Sequence, residues 1–223
     1  MSKSDGMNDK RQRQLRGCVS NYEISSSSVM HGPYISSYRL FRCPRAECVK
    51  TMSPSTLLQH LLADHRELRP RDLHPGTQII LDVADYLKDF EEMDSNAIGL
   101  IQIQGTTMNE VPLLVNACCI LDKSHSKEYN KSKSRQDPKS GQWVCLWLSS
   151  VCNFDNWFSM RLFNKENPQT SMTKICKPVL VQHPMTTIDI LEDLNVMLVE
   201  HSTISSICHT DERLKMEVTM YET

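Results

Sequence analysis

The chain has 223 residues and 39% hydrophobic content, enough to bury a core in one or two domains. Its formal net charge of -2 gives no global electrostatic case for binding nucleic acid. No apolar run approaches the roughly 18–20 residues that cross a bilayer, and the polar N-terminus lacks the apolar core of a signal peptide. The expected setting is intracellular, cytoplasmic or nuclear, without membrane contact.

Residues 1–38 read as a disordered polar tail. Ser25 to Ser28 form a serine run, and Lys10, Arg11, Arg13 and Arg16 make one short basic stretch. A stretch this short is a solvated leader before it is a nuclear-import or polyanion contact.

Residues 39–70 hold the densest chemistry. Cys43, Cys48, His60 and His65 follow the spacing C-x4-C-x11-H-x4-H. Two thiolates and two imidazoles suit tetrahedral zinc, and four protein ligands leave no open position for water. The expected metal is therefore structural zinc and not a catalytic ion. Ser53 and Pro54 suit a helix start, with Ser as cap and Pro at the first helical position. Leu57, Leu58, Leu61 and Leu62 then supply an apolar helical face. The early helix offers Ser53, Ser55, Thr56 and Gln59, few of the side chains that reach base edges. One finger reads about three base pairs, so this helix is expected to pack on protein. Pro70 and Pro75 bracket an expected linker.

From residue 77 onward the pattern changes to period two. Ile79, Leu81 and Val83 alternate with Ile80 and Asp82. Ile98, Leu100 and Gln102 are expected on one face of the next strand, with Ile101 and Ile103 on the other. Val111 to Leu121 and Trp143 to Val151 are long apolar runs. Phe158, Met160 and Leu162 alternate with Ser159 and Arg161. Val179, Leu180 and Val181, and then Val196 to Val199, are short strand candidates. Leu214, Met216, Val218 and Met220 alternate cleanly with Lys215, Glu217, Thr219 and Tyr221. Several short alternating strands predict an antiparallel sandwich over residues 77–222. Short helices are expected at Ala84 to Glu92 and Ser202 to Cys208. Residues 122–141 are charged and read as a long mobile hairpin loop.

Nine cysteines are an odd number. Cys118, Cys119, Cys145, Cys152, Cys176 and Cys208 lie in apolar surroundings and read as buried free thiols of a reducing compartment. Nothing in the chain resembles a glycine-rich phosphate loop or a Ser or Cys nucleophile motif. No C-x2-C pair occurs, so a RING domain has no ligands here.

The residues resemble a known family. Phe41-Arg42-Cys43-Pro44, Cys48, Leu57 to His65 and then Thr77 to Val83 are similar to the second zinc finger and following strand of seven-in-absentia ubiquitin ligases. Trp157 to Asn164, Asn195 to His201, Ser202 to Ile207 and Leu214 to Met220 resemble strands and a short helix of that family's TRAF-like substrate-binding sandwich. The RING and the first finger have no counterpart, so the ligase activity does not transfer. The resemblance implies a domain that captures extended peptides and self-associates.

The fold expected is thus mainly β, a small two-Cys/two-His zinc finger followed by a TRAF-like antiparallel β-sandwich. The function expected is a non-catalytic protein-binding module of the ubiquitin pathway, an adaptor with a protein or extended-peptide partner. The alternative is a nuclear, nucleic-acid-associated finger protein.

Overall fold

The computed structural model describes residues 40–84, 95–104, 111–121, 142–181, 187–207 and 214–222. The elements run β1 (Phe41–Arg42), β2 (Thr51–Met52), a 3-10 turn (Pro54–Thr56), α1 (Leu57–Asp64), β3 (Arg71–Leu73), β4 (Gln78–Asp82), β5 (Asn96–Ile103), β6 (Pro112–Leu121), β7 (Gln142–Ser150), β8 (Phe158–Asn164), β9 (Ser171–Cys176), β10 (Val179–Leu180), α2 (Thr187–Glu192), β11 (Met197–Glu200), α3 (His201–Ile207) and β12 (Leu214–Met220). The predicted tail at 1–38, the loop at 122–141 and all but the first residue of the helix expected at Ala84 to Glu92 lie outside the described residues.

The protein is mainly β. Strands β4, β12, β8 and β9 form one antiparallel sheet in that order. The other sheet runs β3, β5, β6, β7, with β10 and β11 sharing the far side of β7. Its long central pairs are antiparallel, whereas the edge pairs β3–β5 and β7–β10 are parallel. The inward faces meet in one core containing Leu81, Ile101, Val115, Leu146, Phe158, Met160, Leu162, Met216 and Val218.

The two sheets differ in how many faces they bury, and the sequence pattern follows from that. Along β12, buried and half-exposed residues alternate strictly, because the four-stranded sheet turns its other face to solvent. That open face carries Ile80, Thr173, Glu217 and the Lys215–Asp82 ion pair. On β7, every residue from Val144 to Ser150 is buried. The outward side of its sheet is covered twice. Ala97, Leu100, Leu114 and Val151 pack beneath the finger. Cys118, Cys145 and Trp147 pack beneath Ile190 of α2 and Val196. Between these two patches Asn116 donates from Nδ2 to Ser149 Oγ at 2.8 Å, so the buried polar pair is satisfied.

A bulge in β5 corrects the expected face assignment. Ala97 pairs with Asn116 and Gly99 with Val115, leaving Ile98 as the extra residue. The slip resets the alternation. Ile98, Ile101 and Ile103 all point into the core, while Ala97 and Leu100 point to the finger. Leu100 therefore does not share the face of Ile98, as strict period two requires. Gly99 sits where the sheets approach closely: a Cβ there would lie 3.1 Å from Leu81 Cδ1 and 3.3 Å from Val115 Cβ. Gly99→Ala is expected to lower stability by about 1–3 kcal/mol through overpacking, read as a lower urea midpoint at unchanged slope. An unaltered midpoint would contradict the packing described.

The segment expected as a linker contributes a strand. Arg71–Leu73 pairs with Ile101–Ile103, and Leu73 is fully buried in the core. A three-residue parallel edge is too short for any period to mark it.

Candidate metal centre

The finger is a hairpin followed by a helix. Phe41 and Arg42 pair with Met52 and Thr51, and the Cys43 amide donates to the Lys50 carbonyl at 2.9 Å. The Cys48 amide closes the intervening loop on the Arg45 carbonyl at 3.0 Å. Both cysteines thus project from one tight loop. Pro54 starts a 3-10 turn that leads into α1. Ser53 is extended at this boundary but does not cap the helix; its hydroxyl lies with those of Ser55 and Thr56 instead. Thr56 Oγ1 donates to the Ser53 carbonyl, which is how the turn is tied.

On α1 the leucines divide by helix face. Leu57 and Leu61 are fully buried, Leu58 is half-buried and Leu62 is exposed. Leu57, Leu61, Phe41, Met52 and Leu68 form a single cluster with Ala97, Leu100, Leu114 and Val151 of the large sheet. The finger is therefore fused to the sandwich through shared apolar surface. His60 lies on the helix three residues after buried Leu57, and His65 is its C-terminal cap, four residues after buried Leu61.

All four predicted ligands come together. The donor atoms of Cys43, Cys48, His60 and His65 lie within 4.8 Å of one another. Cys43 Sγ is 3.4 Å from His65 Nε2 and 3.3 Å from His60 Nε2, and Cys48 Sγ is 3.6 Å from His60 Nε2. A tetrahedral zinc with bonds near 2.3 Å to sulfur and 2.0–2.1 Å to nitrogen has sulfur–nitrogen edges of about 3.5 Å. The donor set and its spacing fit that ion. Among the described residues no other such group of His, Cys, Asp and Glu occurs.

Both histidines turn Nε2 inward and leave Nδ1 for a carboxylate. His60 Nδ1 is 2.7 Å from Asp64 Oδ2, one helical turn on, and His65 Nδ1 is 3.5 Å from Glu67 Oε1. Each carboxylate meets a cation from the cysteine hairpin: Lys50 Nζ lies 2.8 Å from Asp64, and an Arg45 guanidinium nitrogen 3.3 Å from Glu67. The hydrogen bond from Lys50 holds the Asp64 carboxyl below the usual range and raises the Lys50 ammonium in return. Such carboxylates fix the tautomer and tilt of a ligating imidazole. Burial pushes the Cys43 thiol up to about 11, so a metal must displace a proton there.

The motif marked the four donors that come together, and Asp64 was findable as the residue four beyond His60 on one helix face. Arg45 was not, because its second partner, the Ala97 carbonyl, lies 52 positions away at 2.8 Å. Of the other histidines, His74 is exposed and His201 lies on α3; His125, His183 and His209 fall outside the described residues. Cys118, Cys145, Cys152 and Cys176 are buried free thiols and Cys119 is buried, while Cys208 falls outside. Burial raises the Cys152 thiol and pushes Cys176 up to about 12. Among the described residues no helix is long and apolar enough to cross a membrane.

No protein-family model matches the chain, and no curated protein matches it by sequence.

Proposed function

We propose that this chain is a non-catalytic protein-binding module whose finger carries structural zinc, an adaptor or regulator related to the substrate-binding half of seven-in-absentia ubiquitin ligases. The observation that carries this reading is a closed set of four protein donors inside a finger whose apolar side is committed to the sandwich. Cys43, Cys48, His60 and His65 would hold the ion. Zinc bound there supplies a cross-link between hairpin and helix, with no open position for substrate. The residues around it would orient the imidazoles and balance charge.

The partner is a protein, engaged as an extended segment. Among the described residues β4 and β9 each pair on one side only, and extended peptides add to such edges. The exposed positions of the 3-10 turn and finger helix, Ser55, Thr56, Gln59, Leu62, Ala63 and Asp64, include no Arg or Lys. That supports a protein partner over nucleic acid, where phosphate contacts dominate affinity. The full chain is expected to retain a specific protein partner on affinity purification from cells, to give no mobility shift with duplex DNA at low salt and to show no autoubiquitination. Recovery of no protein, or a DNA complex that weakens steeply with salt, would sink this reading.

A further inference from the structure

We infer that Arg45 is a positioning residue that couples the metal centre to the bulged end of β5, so that occupancy of the finger and order of the large sheet depend on each other. The inference rests on the zinc reading above and adds the route by which the metal acts beyond the finger.

Arg45 lies between the two cysteines, and its side chain is only 11% exposed. One guanidinium nitrogen donates to the Ala97 carbonyl at 2.8 Å. The other meets Glu67 Oε1, the same oxygen that faces His65 Nδ1. One planar cation thus touches a ligand's carboxylate and the sandwich backbone together, a fork that Lys cannot reproduce. The main chain on either side repeats the link. Ala97 N–H donates to the Pro44 carbonyl at 2.9 Å, and Ala46 N–H to Asn96 Oδ1 at 3.2 Å.

The location is where β5 most needs support. Its bulge lies immediately after Ala97, and a bulge interrupts the ladder beside it. The cysteine loop takes up the Ala97 amide and carbonyl there. Holding this bend keeps Leu100 aimed at Leu57 and Leu61 while Ile98 and Ile101 stay in the main core. Metal bound by Cys43 and Cys48 fixes the loop that carries Arg45. In the other direction, the sandwich fixes Arg45, which fixes Glu67 and through it the ring of His65.

The test uses the full chain loaded with cobalt(II), with metal release to a chelator and amide hydrogen exchange at residues 97–101 as readouts. Arg45→Ala leaves all four ligands in place and is expected to keep a tetrahedral cobalt spectrum. It should release metal about tenfold faster, the scale on which outer contacts tune a site, and speed exchange at 97–101 even when loaded. Arg45→Lys should rescue only part of either effect. Glu67→Gln should speed release while leaving exchange near the unmodified rate, because the bond to Ala97 remains. If Arg45→Ala matches the unmodified chain in both readouts, the coupling is overturned while the metal reading stands. If the unmodified chain takes up no cobalt or zinc, the metal reading falls and the coupling falls with it.

Discussion

Cys43→Ser is expected to unfold the finger while the body of the sandwich survives. In isolated fingers zinc supplies an apparent 10–16 kcal/mol or so of folding free energy, and loss of one of four ligands removes much of it. Cys43 is also buried within the finger's own cluster, so the substitution leaves a hydroxyl among Phe41, Met52, Leu57 and Leu61. Without the ion, that small apolar set cannot hold hairpin and helix together. Residues 41–66 should become protease-sensitive, and Ala97, Leu100, Leu114 and Val151 should become available to a hydrophobic dye. The main core lies on the other face of the same sheet, so the strand signal in circular dichroism should largely persist. Thorough chelation of the unmodified chain should reproduce the effect. A finger that resists protease equally well with and without metal would show that zinc plays no part in its folding.

Phe158→Ala is expected to cost about 3–5 kcal/mol, the range for emptying a fully buried aromatic site. Phe158 is fully buried in the main core, where its ring meets that of Phe154 edge to face at 5.7 Å. Whole domains are stable by only about 5–15 kcal/mol, so the variant should melt at least several degrees lower. Its neighbour supplies the control. Trp157 is 46% exposed on the opposite side of the chain, with Lys177 5.1 Å from its ring centroid. Trp157→Ala should change the melting point far less, because much of its ring is already in water and little burial is lost. Equal effects from the two variants would contradict the burial described for these neighbours.

The expectations that held share a local cause. Cys43, Cys48, His60 and His65 could be grouped by spacing because a hairpin loop and one helical turn are short-range geometry. The alternation at Leu214–Met220 was visible because that strand buries every second residue and leaves those between half-exposed, whereas along Phe158–Asn164 Arg161 alone is half-exposed. The same rule fails on β6 and β7. Finger, α2 and Val196 cover their outer face, so both sides are apolar and the runs carry no period. The β5 bulge was invisible for a related reason. Its residues are apolar on both faces, so a one-residue slip leaves no trace in composition. The Ser53 cap misled because Ser53 satisfies neighbouring hydroxyls at a 3-10 turn that precedes the helix proper.

By itself, then, the sequence determined the four residues that could hold a metal, a mainly β body and the alternation of the last strand. Each is written in spacing or in the contrast between wet and dry faces. Only the tertiary structure decided that the finger is part of the sandwich's own packing. It brought Arg45 to Ala97 and Leu61 to the face of Leu100 and Leu114, partners some 40 to 50 residues apart in the chain. Such contacts depend on which surfaces are left to be covered once both sheets have formed, and no local pattern records that.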